Sequence, residues 1–204
     1  GPITLNRDSS FAVADWKSDS DTQGDVIRFF INSVIADESG ETHSAYFLTD
    51  LSSGSYRGTN GRKSEIILGG QSTYGGNTYL TTNFADDGSG TYSGNLRLGV
   101  SNALPVGTTL VIGGSHSTDG GTLGTGAGSG KFALSGYNQQ LAGLTTNGTG
   151  ALNRVVGNSA TLSTLTLNIA SGATNTYDGH LGWTEENDNN LAIVKTGEGT
   201  LVLS

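Results

Sequence analysis

The residues with the most chemistry in them are acidic and fall in three clusters. These are Asp19, Asp21 and Asp25, then Asp86 and Asp87 in ADDGSG, then Glu185, Glu186 and Asp188 in TEENDNN. Calcium takes about six to eight oxygen ligands, and loops of this kind can supply several of them. Asp86, Asp87, Glu186 and Asp188 are therefore the candidate calcium ligands. None of the clusters has EF-hand spacing, and a glycine-rich calcium nonapeptide is missing. The competing expectation is that these acids are solvated turns that keep strand ends soluble. Two carboxylates about 5–9.5 Å apart would suit glycoside hydrolysis. Glu185 and Glu186, however, are adjacent and point to opposite sides of an extended chain, with no Arg or His beside them in sequence. His43, His116 and His180 are scattered, without the spacing of metal ligands. No catalytic constellation emerges, and the expectation is a protein that is not an enzyme and has no cofactor other than a possible calcium.

The aromatic residues suggest recognition instead. Trp16 and Trp183 both fall in polar stretches, the second near Tyr177, with acidic and amide residues around them. A flat apolar ring beside Asp, Asn and Glu is what sugar binding uses. Trp16, Trp183 and Tyr177 are thus the candidate ligand-binding residues; the alternative is that each Trp folds back to cover the protein's flank or end. Tyr74, Tyr79 and Tyr92 are expected to stack along a corner. The glycine loop GTLGTGAGSGKF, residues 121–132, superficially suggests a phosphate loop. Thr125 stands where that motif needs its first glycine, and Phe132 follows Lys131 where it needs Ser or Thr.

Composition narrows the classes. Glycine contributes 33 of 204 residues, proline 2, and charged residues only 14%. Val, Ile, Leu and aromatic residues recur in short alternating clusters, which argues for many short strands rather than disorder. The net charge of -8 argues against a nucleic-acid partner, which needs clustered Lys and Arg, and against docking on anionic lipid. No apolar run reaches the roughly 18 residues of a membrane-spanning helix, so no membrane insertion is expected. With 0 cysteines there are no disulfides, thiolate metal sites or thiol nucleophiles. Gly1-Pro2 has the look of a protease-cleavage scar from a tag.

Along the chain, ITL and FAV are short strands, followed by a polar excursion at residues 15–25. In VIRFFI, Ile27, Phe29 and Ile31 share a face with Arg28 opposite. AYFLTDL, EIILGG and GNLRLG follow, the last with Leu96 and Leu98 inward around Arg97. GTTLVIG, a low-complexity loop at residues 115–130, KFALSG and TLSTLTLNI come next, the last with Leu165, Leu167 and Ile169 on one face. At the end LAIVK, the turn TGEG and TLVLS make two strands, with Leu201 and Leu203 on one face. A strand left at the chain's end looks cut from a longer protein. Helical period is absent over three turns, and strand-turn units recur at irregular distance, which suggests a solenoid.

KTGEGTLVLS (residues 195–204), GGQSTYGGNTYL, GNLRLGVSNALPVGTTLVIGG (94–114), FALSGYNQQLAGL and TLTLNIASGATNTYDGHLG together resemble the autotransporter-associated beta-strand repeat of large secreted bacterial surface proteins. The likeness covers residues 62–204 and is weaker over 3–61, where inserts at 15–25 and 37–61 depart from it. It implies an all-β, right-handed parallel β-helix, one continuous solenoid in which residues 3–61 are first coils with long loops and residues 62–204 are coils of the repeat. At about 4.8 Å per coil, about eight or nine coils make a rod on the order of 40 Å long. It also implies a non-enzymatic stalk or adhesin segment, exported across the outer membrane to the bacterial cell surface or beyond. Its partners would be neighbouring coils of the parent protein and a polysaccharide or cell-surface glycan. A carbohydrate-binding module using the loop tryptophans is the alternative, and a polysaccharide-degrading enzyme the weaker one.

Overall fold

The computed structural model describes residues 1–13, 26–49, 63–82, 95–116, 123–124 and 126–204. Those residues form an all-β structure without helix. Five strands build one parallel sheet: Ser9–Val13, Ala45–Thr49, Thr78–Thr82, Thr109–Gly113 and Gly143–Asn147, in chain order across the sheet. Six build a second: Val26–Ile31, Lys63–Leu68, Asn95–Leu98, Lys131–Ala133, Arg154–Val156 and His180–Leu181. Strand order across each sheet follows chain order, and between neighbours in one sheet the chain visits the others.

A third face begins with Ile3–Leu5 paired to Ile35–Asp37 and ends with Gln139–Leu141, Ser163–Asn168 and Leu191–Thr196, all parallel. Between these two groups, single backbone bonds carry the stack: Thr73 N to Ile35 O at 2.8 Å, Ser72 N to Ala103 O at 2.9 Å and Asn102 N to Asn138 O at 2.9 Å. One side chain helps here. The buried Gln139 amide accepts from Leu104 N at 3.1 Å and donates to Leu104 O at 2.9 Å, standing in for a missing piece of ladder. Thr174–Tyr177 pairs with Thr200–Leu203 and lies beside Gly143–Asn147, where Asp178 N donates to Thr146 Oγ1 at 3.3 Å. Seven strands thus follow one another along that face among the described residues.

Register explains why these residues make strands. Phe29, Ile66, Leu96, Phe132, Val155 and Leu181 are successive partners, and so are Ile31, Leu68 and Leu98. On the five-stranded sheet Phe11, Phe47, Leu80 and Ile112 align, with the Phe11 and Phe47 rings stacked at 5.4 Å. Apart from Phe29, which is exposed on the edge strand, these columns face one another across one contiguous apolar core running from Leu5 to Tyr177. A polar chain is enclosed too: Tyr74 Oη lies 2.5 Å from Thr78 Oγ1, which lies 2.9 Å from Thr108 Oγ1, whose hydroxyl reaches Gly76 O at 2.9 Å. Each member is buried and bonded, so hydrogen bonds offset the cost of taking the hydroxyls out of water.

The expected faces of Leu96 and Leu98, of Phe132 and Leu134, and of Leu165, Leu167 and Ile169 are all inward, at 1% exposure or less. Leu203 differs. It is 53% exposed because, among the described residues, no further strand covers Thr200–Leu203, and Leu201 is only half-buried. The turn TGEG has a physical cause. Gly197 sits at φ +72°, and a Cβ there would run into the Ile169 carbonyl oxygen, as one at Gly199 would into that of Ala170. The low-complexity stretch after Gly113 also contains an antiparallel pair, Ser115–His116 with Leu123–Gly124.

The corners are unequal. From the five-stranded to the six-stranded sheet the chain runs through residues 14–25, 50–62, 83–94 and 114–130, whereas Leu5 to Ser9, Ile31 to Ile35 and Leu141 to Gly143 are short links. The first three long links start in register at Val13, Thr49 and Thr82. Trp16, Asp86 and Asp87 lie in these links, outside the described residues.

Leu167→Asp is expected to abolish cooperative folding, since it forfeits about 1.5–3 kcal/mol of burial and places a charge in the core. Thr166→Asp, on the outward side of the same strand, is expected to leave the melting temperature near wild type, with Leu201→Asp between them; thermal melts by circular dichroism rank the three. Gly197→Ala is expected to cost about 1 kcal/mol or more in urea unfolding, because alanine meets both an unfavourable φ and a carbonyl oxygen.

Candidate functional site: a buried ion pair beside Trp183

On the outward side of the six-stranded sheet one polar residue precedes each inward apolar one. Arg28, Glu65, Asn95, Lys131, Arg154 and His180 are successive register partners and form a column across all six strands. At its upper end Glu65 accepts from Arg28 Nε at 2.9 Å and from Asn95 Nδ2 at 3.3 Å, with Arg97 Nη1 at 3.9 Å. Lower down the column is sealed at two positions, though His180 at its end is exposed. Lys131 is 2% exposed and Arg154 0%.

The lid is the loop of residues 182–190. Its own bonds fold it: Asp188 N to Glu185 O at 3.2 Å, Asn190 N to Asn187 O at 3.2 Å, and Asn189 Nδ2 to Trp183 O at 2.8 Å. Asn187 takes φ +65°, a left-handed turn that asparagine tolerates. The loop is pinned to the preceding strand passage by Gly157 N to Asp188 O at 2.9 Å and Asn190 Nδ2 to Ser159 O at 2.8 Å.

This fold brings two carboxylates to one ammonium. Lys131 Nζ donates to Glu185 Oε2 at 2.8 Å and lies 3.5 Å from Asp188 Oδ1. The Lys131 and Asp188 side chains are 3% and 0% exposed, whereas Glu185 keeps 38% of its side chain in solvent. Neither Asp188 carboxylate oxygen has a hydrogen-bond partner. Burial raises the Asp188 carboxyl pKa; the Lys131 charge pulls it back and Glu185 pushes it further up. Arg154 donates from Nη1 to Leu152 O at 3.0 Å and places its guanidinium 5.5 Å from the centre of the Trp183 ring. His180 packs against the same indole at 4.4 Å, tilted by 57°. Tyr177 is wholly buried, its hydroxyl donating to His180 O at 3.2 Å, and burial raises its pKa.

The expectations for single residues change accordingly. Tyr177 is a core residue, not a surface ring for a sugar, because it faces inward from its strand. Trp183 is half-buried, packed by Arg154 and His180. Asp188 is a buried partner of Lys131, so an ammonium lies where a calcium ion would be needed, while Glu186 on the same loop is exposed. Among the described residues no group of three or more His, Asp or Glu is placed to hold a metal. Trp16, Asp86 and Asp87 lie outside the described residues. Sequence adjacency missed Lys131 and Arg154, which come from other strands to meet Glu185, Asp188 and Trp183. A signal was present, however: a polar residue stands just before the inward apolar residue in RF, EI, NL, KF, RV and HL.

Compared with protein-family models, curated proteins and solved structures, the chain gives no match.

Lys131→Met is expected to strand Asp188 without its counter-charge and to cost about 3–5 kcal/mol. The double variant Lys131→Met, Asp188→Leu is expected to be more stable than that single variant by about 2 kcal/mol, as equilibrium urea unfolding would reveal.

Proposed function

We propose that the chain is a length of right-handed parallel β-helix serving as a non-enzymatic stalk or adhesin segment of a large bacterial cell-surface or secreted protein. The observation that carries this reading is the in-register parallel stacking of strands in three faces around one apolar core. Parallel crossovers in one sheet are right-handed almost without exception. Each coil satisfies the backbone groups of its neighbour and covers its neighbour's apolar residues, so stability rises with stacking. Residues 3–61 and 62–204 are then parts of one solenoid rather than separate domains. Seven strands along one face among the described residues give a rise of about 30 Å at the spacing of adjacent strands, against the eight or nine coils expected from sequence. The resemblance of KTGEGTLVLS and its companions to the autotransporter-associated beta-strand repeat supports the same reading, as does the lack of cysteine.

In this role the function is mechanical: a stiff, stacked rod holds other parts of a longer protein away from the cell, and its partners are neighbouring coils. Antibodies raised against the chain are expected to label intact, unpermeabilised cells of the source bacterium, and mild external protease to remove that label. Labelling only after lysis would sink the reading. Small-angle scattering of the isolated chain is expected to show an elongated particle. A glycan panel run with a Trp183→Ala control addresses the recognition alternative: binding lost in the folded variant would make this a carbohydrate module.

A further inference from the structure

Lys131, Asp188 and Glu185 have an arrangement that a simple ion pair does not need. The nucleophile and the acid are sealed from water, at 3% and 0% side-chain exposure, on segments far apart in sequence. The Lys131 nitrogen stands 3.5 Å from an Asp188 oxygen that has no hydrogen bond, and a second carboxylate grips the same nitrogen at 2.8 Å while remaining partly in solvent. We propose that Lys131 and Asp188 are the two halves of an intramolecular isopeptide crosslink, with Glu185 as the proton carrier for its formation.

The chemistry balances without oxidant, metal or cofactor. Glu185 Oε2 takes a proton from the Lys131 ammonium, and the neutral amine attacks Cγ of the protonated Asp188 carboxyl. A C–N bond forms. Glu185 then returns a proton to the departing hydroxyl, which leaves as water when the C–O bond breaks, and it takes the surplus proton from the new amide nitrogen. That last proton passes to solvent from the exposed side of Glu185.

Three physical conditions favour the step. Burial disfavours charge on the Asp188 carboxylate, so the neutral acid is closer in energy here than in water. Burial raises the Asp188 carboxyl pKa, as this requires. The Lys131 nitrogen is already held 3.5 Å from an oxygen of the carboxyl it would attack, so part of the orientation entropy of the step is lost on folding. Glu185 is within hydrogen-bond reach of the proton it must move. The fold holds all three: Lys131 lies between Asn95 and Arg154 in the sheet, and the Asp188 carbonyl is bonded to Gly157 N. Glu185 itself, being partly in solvent, is the carrier rather than the acceptor of the amide.

The test is the intact mass of the purified, folded chain after prolonged incubation near neutral pH. The expected result is a mass one water below that of the sequence. Proteolysis is expected to yield a branched peptide joining the Lys131 and Asp188 segments. Glu185→Gln is expected to fold, shown by a cooperative melt and β-type circular dichroism, yet to keep the full mass and melt at a lower temperature. Asp188→Ala and Lys131→Arg are expected to keep the full mass as well. A folded wild-type chain at full sequence mass overturns the proposal whatever the variants do. A branch from Lys131 to Glu185 overturns the assignment of roles.

Discussion

Everything in this structure depends on the parallel ladder that each strand makes with the strand one passage earlier. A parallel strand cannot be joined to its neighbour by a tight hairpin; the chain must travel round before it returns. Here it travels through two other faces, and the same requirement recurs there. Once Phe132 is paired with Leu96 and Val155, the inward position is fixed for the whole column. A slip of one residue would turn every apolar residue outward. Turns must then stack as closely as strands, which is why Gly197 and Gly199 have no room for a side chain. Where the ladder is thin, between Asn102 and Gln139, side chains take over: Asn102 Oδ1 receives Gln140 N at 2.9 Å, and Gln139 bonds the Leu104 backbone.

The same register that builds the core builds the polar column. Six strands in line place Arg28, Glu65, Asn95, Lys131, Arg154 and His180 above one another. Like charges at Lys131 and Arg154 are neighbours, so the arrangement needs acids from elsewhere, and the loop of residues 182–190 supplies them. Buried ion pairs add little net stability because desolvation offsets their attraction, but removing one partner is costly. The pair therefore fixes where the loop lies more than it strengthens the sheet. Trp183, wedged by Arg154 and His180, is part of that same closure.

Sequence pattern was a good guide where alternation reports burial directly. Leu165, Leu167 and Ile169, or Leu96 and Leu98 around Arg97, are readable because inward and outward residues differ in polarity. It was a poor guide at the chain's last strand, where Leu203 alternates like a core residue and yet stands in solvent; alternation cannot tell which strand has a neighbour. Tyr177 misled for a related reason. Its neighbours Asn175 and Asp178 are polar, but position in the strand, not company, decides its burial. The acids of TEENDNN looked like solvent-facing ligands because their counter-charge, Lys131, is remote in sequence and only register brings it near. The recurrent polar-then-apolar pairs were the legible trace of that column, visible once strands are aligned by face rather than read in order.

The inequality of the corners has a meaning for how such a chain changes over time. Links at two of the turns are shorter, with the loop of residues 182–190 the main addition there; the longest links lie where the five-stranded sheet hands over to the six-stranded one, at residues 14–25, 50–62, 83–94 and 114–130. An insertion at that corner leaves both flanking strands in register, because the ladder bonds are made between passages rather than along the chain. Elsewhere the turns are locally tight: at Gly70, Gly76 and Gly157 a single added Cβ would already meet backbone of an adjoining passage. One flank thus carries most of the added length. Such a frame can take added length chiefly along a single edge, much as a book may gain pages at its fore-edge while its spine stays bound.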